Sequence, residues 1–194
     1  MEVVQHAIRW RSALMLRARG WQRRRMRMPD LLPNADAVTP QLMVGAFIDA
    51  DDWTVLFRQG VRVVVSLQGE RHDEAVFGEL QPLGYLRLPT PDFTPPTEAQ
   101  LRMGAAFIDE AIKAGEKVLV HCHAGVGRST MQCAAYLILT GMDLDEAWNT
   151  IKNNRPQATW NDQQQAAMEH FAHTIAAERT ARVVPIAGPT PPTE

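Results

Sequence analysis

Cysteine is scarce in this 194-residue chain: Cys122 and Cys133 are the two it has. They are not a C-x-x-C pair, and two thiols make no disulfide framework, so a reducing compartment, and with it a cytoplasmic location, is expected. Long apolar runs are absent too. None approaches the roughly 20 residues that cross a bilayer, and no secretory leader pattern stands at the start. No internal repeat is visible, and outside residues 1–30 there is no basic stripe, which argues against nucleic acid as a partner. What is there is 45% hydrophobic content, enough to bury a full core, in a length that suits one domain with extensions better than two domains.

Charge divides the chain unevenly. Residues 1–30 carry eight arginines (Arg9, Arg11, Arg17, Arg19, Arg23, Arg24, Arg25 and Arg27) against Glu2 and Asp30, a net of about +6, so the remainder holds about −8 of the total −2. Ile8, Trp10, Leu14, Leu16 and Trp21 are interspersed among them. Three readings stay open for this arm: an interfacial helix making peripheral contact with anionic lipid, an organellar transit sequence, or a solvated helix lying on the domain. The expected organisation is a basic extension over 1–30, a catalytic domain over 31–180 and a proline-rich tail over 181–194.

Within the domain, strands and helices alternate. Residues 42–47 and the valine-rich run 61–67 read as strands, the latter buried on both faces of a sheet. Asp51 and Asp52 look like the cap of a helix carrying Trp53, Leu56 and Phe57, and a short helix over 74–83 should lead to a strand at 85–88. Thr97 and Gln100 have capping-box spacing, and Leu101, Ala105, Ile108 and Ile112 mark one face of a helix ending near Gly115. A strand around Val118 follows, then helices from Ser129, Leu144 and Asn161. This order predicts an α/β fold: a three-layer α/β/α domain around a mostly parallel central sheet, with a functional loop at a strand's C-terminal edge.

The loop is His121-Cys122-His123-Ala124-Gly125-Val126-Gly127-Arg128-Ser129. A strand that ends in small residues and opens a helix leaves backbone N–H groups converging at a positive helix terminus, which is an anion site. Cys122 sits at its floor, where those dipoles and the Arg128 guanidinium favour thiolate over thiol. Gly125 and Gly127 allow the turn that brings Arg128 back over the loop, where its planar fork suits two phosphoryl oxygens. Ser129 is placed to donate to the Cys122 sulfur and so to help the thiolate leave a phospho-cysteine. The phosphate-binding residues are then His123, Ala124, Gly125, Val126, Gly127 and Arg128. A buried structural thiol would not require the glycines and arginine around it, and a rhodanese-like sulfurtransferase loop typically has fewer residues before its basic residue.

With His121 in front, five residues between Cys122 and Arg128, and Ser129 behind, the segment resembles the signature loop of cysteine-dependent protein tyrosine phosphatases. Its HCxxGxxRS form on a short chain looks most like the dual-specificity branch, over residues 38 to 175. The resemblance implies a phosphatase-type fold and a general acid on a separate loop about thirty residues before the cysteine. Asp92, in Pro89-Thr90-Pro91-Asp92-Phe93-Thr94-Pro95-Pro96, matches; its other reading is a turn residue. Asp109 and Glu110 fall inside an expected helix and are poorer candidates. The resemblance also assigns a supporting role to His121, and to Asn161 and Gln164 after the Arg155-Pro156 pair; otherwise Asn161 or Asp162 is a helix cap and the glutamines are surface. Trp160 either walls the pocket or packs beside it. Cys133, expected about three turns into the next helix on an apolar face, reads as structural, with a resolving thiol as the alternative.

The implied activity is hydrolysis of phosphomonoesters through phospho-cysteine, without a cofactor or metal, since Arg128 and the loop amides provide the charge. A phosphorylated protein is the first substrate, carrying phosphotyrosine, phosphoserine or phosphothreonine. A phosphoinositide or phosphatidylglycerophosphate is the enzymatic alternative, which the absence of Lys and Arg at His123, Ala124 and Val126 disfavours. From a different class, the alternative is a silent module that only docks phosphate. Nothing in the sequence bears on oligomeric state.

Overall fold

The computed structural model describes residues 32–183. The basic arm over 1–30 and most of the tail after 181 therefore lie outside the described residues. Five strands form one sheet, β1 (Ala35–Ala37), β2 (Leu42–Gly45), β3 (Val61–Gln68), β4 (Gly84–Thr90) and β5 (Lys117–His121), in the order β1-β2-β5-β3-β4. β1 runs antiparallel to β2 and the other pairings are parallel. The helices are α1 (Ala50–Arg58), α2 (Glu74–Phe77), α3 (Glu98–Lys113), α4 (Arg128–Leu139), α5 (Leu144–Asn154) and α6 (Asp162–Val183).

Both faces of the sheet are covered, which is why β3 can be almost continuously buried. On one face Val63, Val65 and Leu67 meet Leu101 and Ile108 of α3, Met131 and Ile138 of α4, and Phe171 of α6. On the other, Val64 and Leu119 meet Trp53 and Leu56 of α1 and Phe77 of α2. Val61 joins this smaller core as well, because the ladder between β3 and β5 shifts register between Val61 and Val63.

Several local expectations need correction. The first helix is capped by Asp49, which accepts from Asp52 N at 2.8 Å while Asp52 returns a bond to Asp49 N; Asp51 and Asp52 lie inside the first turn. The segment expected to be helical over 74–83 makes one turn, ending at Phe77, because Gly78 takes φ +53° and sends the chain away. Trp53 Nε1 then fixes the released segment by donating to the Leu80 carbonyl at 2.6 Å. β1 has no apolar alternation to announce it. α4 opens at Arg128, so Cys133 lies in its second turn, not three turns in. α6 opens at Asp162 and continues to Val183. The box at Thr97 forms as its spacing predicts, with the Thr97 side chain and Gln100 each accepting from the other's N–H.

Candidate active site

The loop joining β5 to α4 is held by its carbonyls. His123 O accepts from Phe47 N at 3.1 Å and Val126 O from Thr159 N at 2.9 Å. Gly125 O accepts from Arg155 Nε, and Gly127 O from Met131 N at 3.0 Å in the first turn of α4. With these oxygens tied to surrounding structure, Gly125 N donates to Cys122 Sγ at 3.2 Å. Ser129 Oγ lies 3.4 Å from the same sulfur. Gly125 is required here: its φ is +70°, and a Cβ would stand 2.4 Å from Arg155 Nη2 and 2.6 Å from Ala46 N.

Arg128 folds back over the loop as its spacing predicts, and its guanidinium is already engaged. Glu70, just beyond β3, takes the fork with both oxygens, at 3.1 Å from Nη1 and 3.0 Å from Nη2. Nη1 also donates to the Thr90 carbonyl at 2.7 Å, and Nη2 lies 3.0 Å from Asp92 Oδ1. The two segments picked from sequence as nucleophile loop and acid loop thus meet at Arg128. Burial works against charge on both Glu70 and Arg128, but their mutual hydrogen bonds, with the attraction of Arg128 for Cys122, Asp92 and Glu70, outweigh it, holding Glu70 below the ordinary carboxylate range and Arg128 above its own.

Phe93, at φ +64°, turns the acid loop towards α6. There Asn161 Nδ2 donates to Phe93 O at 2.8 Å and Gln164 Nε2 reaches Thr94 O at 3.4 Å. The same two residues form a capping box, Gln164 N donating to Asn161 Oδ1 at 2.9 Å and Asn161 N to Gln164 Oε1 at 3.3 Å. A Cβ on Gly127 would stand 3.1 Å from the Gln164 amide, so Gln164 touches both loops. The cap and the bridge are therefore the same residues, and Gln164 is buried, not surface. Trp160 packs against the larger core: its Nε1 donates to Thr130 Oγ1 at 2.9 Å and its ring lies tilted at 41° against Trp148, centroids 4.2 Å apart.

Of the remaining residues, Ala124 and Val126 are half-buried loop positions, and His123 is half-buried with Nδ1 lacking a hydrogen bond. His121 is fully buried and faces Asp73. Cys133 is enclosed in α4, where burial pushes its thiol far up and Arg155 only partly opposes the effect. Sequence reasoning missed Glu70, Asp73 and Arg155 as members of this site. Arg155 is wholly buried and, besides Gly125 O, binds Asp36 at 2.6 Å and Asn34 at 3.1 Å. Its signal was the Arg-Pro pair, an arginine at a helix end with no acidic neighbour in sequence. Among the described residues no group of three or more His, Cys, Asp or Glu side chains is arranged to hold a metal ion.

Known proteins share this architecture. Residues 45–174 match the dual specificity phosphatase catalytic domain. Dual specificity protein phosphatase 15 of Rattus norvegicus is 35% identical over 69% of the chain and 56% of its own length. Dual specificity protein phosphatase 22-B of Danio rerio is 35% identical over 69% of the chain and 72% of its own length. The chain spans about half the length of the first curated relatives it matches, 45–56% of each. The crystal structure of human DUSP28 superposes with a TM-score of 0.66 at 27% identity, covering 75% of this chain and 97% of that one. The five-stranded, mostly parallel sheet flanked by helices is the fold of these phosphatase structures, and the chain belongs to the dual specificity phosphatase catalytic domain family.

Proposed function

We propose that this protein hydrolyses phosphomonoesters on phosphorylated proteins, through a phospho-cysteine formed on Cys122. The observation that carries the reading is the meeting of Arg128 with Asp92 at 3.0 Å, above a sulfur that accepts the Gly125 N–H at 3.2 Å. Loop amides and the guanidinium bind the phosphoryl oxygens and keep binding them as charge develops. The Cys122 thiolate attacks phosphorus, the ester P–O bond breaks, and Asp92 gives its proton to the leaving oxygen. Asp92, now a carboxylate, takes a proton from water as the water oxygen attacks phosphorus. The S–P bond breaks, and Ser129 donates to the sulfur as it regains its charge. A phosphoryl oxygen taking the Nη2–H displaces Asp92 from Arg128 towards the leaving group, so binding itself moves the acid into place.

Phosphoprotein is favoured as substrate because the half-buried loop positions His123, Ala124 and Val126 include no lysine or arginine for a second headgroup phosphate, and because the relatives named above are protein phosphatases. Two free thiols fit a reducing compartment. The test is vanadate-sensitive hydrolysis of nitrophenyl phosphate and of a phosphotyrosine and phosphothreonine peptide panel. Turnover abolished in Cys122→Ser, and cut by about a hundredfold or more in Asp92→Asn with loss of the basic limb of the pH profile, is expected. No turnover by the native sequence at any mildly acidic pH would reject the enzyme, leaving a phosphate-docking module.

A further inference from the structure

The strands around the nucleophile, β2, β5 and β3 in that order, are parallel and end at one edge of the sheet. Cys122 follows β5 directly, Phe47 lies two residues beyond β2 and Arg71 three beyond β3. Phe47 and Arg71 therefore come from the strands on either side of the one that carries the sulfur, and they meet: the Arg71 guanidinium carbon stands 4.5 Å from the centre of the Phe47 ring. Phe47 is fixed to the phosphate loop, because its N–H donates to the His123 carbonyl at 3.1 Å. Arg71 is fixed from the other side. It follows Glu70, which takes the Arg128 fork, and its own carbonyl accepts from Arg87 Nη2 at 3.3 Å.

A guanidinium stacked on a ring is held by its face and keeps its N–H edge for an anion, which a carboxylate can fill with two parallel bonds. The fold does not fill it. Arg71 is exposed, and among the described residues it has no carboxylate partner, although the domain is acidic. Arg87 beside it gives Nη2 to the Gln68 and Arg71 carbonyls and meets no carboxylate among those residues either.

We propose that Arg71, stacked on Phe47, is a specificity-determining residue that binds a carboxylate side chain flanking the phosphorylated residue of a protein substrate. The inference rests on the phosphoprotein reading and deepens it. The phosphate loop meets one phosphoryl group and has no lysine or arginine at its variable positions, so a second anionic group on the substrate needs a cation from outside the loop. Arg71 supplies one that is already oriented, and the stack removes much of the freedom that an exposed arginine would otherwise lose on binding. An extended peptide advances about 3.3–3.6 Å per residue, so a guanidinium separated from the loop by one phenyl ring is in reach of side chains within about three residues of the phosphoresidue.

The test uses the full chain and phosphotyrosine and phosphothreonine peptides carrying Asp or Asn at each position from three residues before the phosphoresidue to three after it. At the position facing Arg71, kcat/KM for the Asp peptide is expected to exceed that for the Asn peptide by about three- to tenfold, most of it in KM, and the ratio should shrink at high salt. Arg71→Met keeps an unbranched stem over Phe47 and removes the charge. Its ratio should fall to about one, with a loss on the Asp peptide greater than any on nitrophenyl phosphate, which has no flanking group. Arg71→Glu should turn the ratio below one, and decides the matter if Arg71→Met does not fold. Binding of the same labelled peptides to Cys122→Ser, followed by fluorescence anisotropy, should give the same order in Kd without turnover. If the native sequence hydrolyses none of the esters while that order holds, the phosphatase reading falls and the Arg71 subsite stands. A ratio near one at every position in the native sequence, or a preference for Asp that survives in Arg71→Met, overturns the proposal and leaves Arg71 as a cover for Phe47. An Arg71-dependent preference for phosphatidylinositol bisphosphate over the monophosphate in vesicles, absent from the peptides, also overturns it and gives the subsite to a lipid headgroup.

Discussion

Arg155 Nε donates to the carbonyl of Gly125 across thirty residues of chain, so the end of α5 holds the phosphate loop open from behind. Two replacements test this contact. Gly125→Ala places a methyl against Arg155 and the Gly45–Ala46 backbone in a positive-φ position, which costs about 1–3 kcal/mol in backbone strain alone. Arg155→Met leaves Gly125 O unanswered and frees Asp36, costing about 2–4 kcal/mol, since Asp36 keeps access to water. Urea unfolding should register both losses, and turnover of nitrophenyl phosphate should fall at least tenfold in the fraction that remains folded.

Gln164→Ala separates the acid loop from the phosphate loop without touching Cys122, Arg128 or Asp92. The expected loss is in kcat, about tenfold, with KM little changed, and greater for phenyl phosphate than for nitrophenyl phosphate because a poor leaving group depends more on the acid. Steady-state kinetics on the two esters checks it, and equal losses on both would assign Gln164 to folding alone.

How far the sequence was legible follows from where the signals lie. Cys122, Arg128 and Ser129 could be picked out because they lie together in one short loop of distinctive spacing. Asp92 could be placed because prolines on both sides leave it on a loop and the family's spacing fits. Asn161 and Gln164 could be named, but their bridging role could not, since it depends on Phe93 and Thr94 carbonyls whose direction no pattern encodes. Glu70 and Asp73 lie in the polar run Gly69-Glu70-Arg71-His72-Asp73-Glu74, where nothing in the spacing marks either one. Their partners, Arg128 and His121, come from strands and helices that only tertiary pairing brings near. β1 was invisible because three residues carry too little periodicity.

Acid should weaken the fold in a defined window. Glu70 and Asp73 both ionise more readily in the folded chain than their unfolded values of about 4.3 and 3.9. A carboxyl lowered on folding contributes stability that is fully present above its unfolded value and is lost as pH falls through its folded one. Tm is therefore expected to be nearly flat from about pH 7 to 5 and to drop below about pH 4. Calorimetry on Asp73→Asn should show a shallower drop, and an identical slope would remove Asp73 from the set of titrating groups.

Cys133 is the thiol that burial silences. Under native conditions iodoacetamide should modify Cys122 and leave Cys133 unlabelled until the protein unfolds, and Cys133→Ala should retain turnover while losing about 1 kcal/mol. Peptide mapping of the labelled protein decides it. Oxidant-treated protein that yields a Cys122–Cys133 peptide pair would make Cys133 a resolving thiol instead.

Asn34 and Asp36 lie ahead of residue 45, where the match to known catalytic domains begins, yet both grip the arginine that shapes the phosphate loop. The smallest working unit is thus longer at its front than kinship alone would draw it. Trimming the chain just upstream of β2 would leave the Cys122–Arg128 loop whole and still take both of these partners from Arg155, unfastening the support behind Gly125.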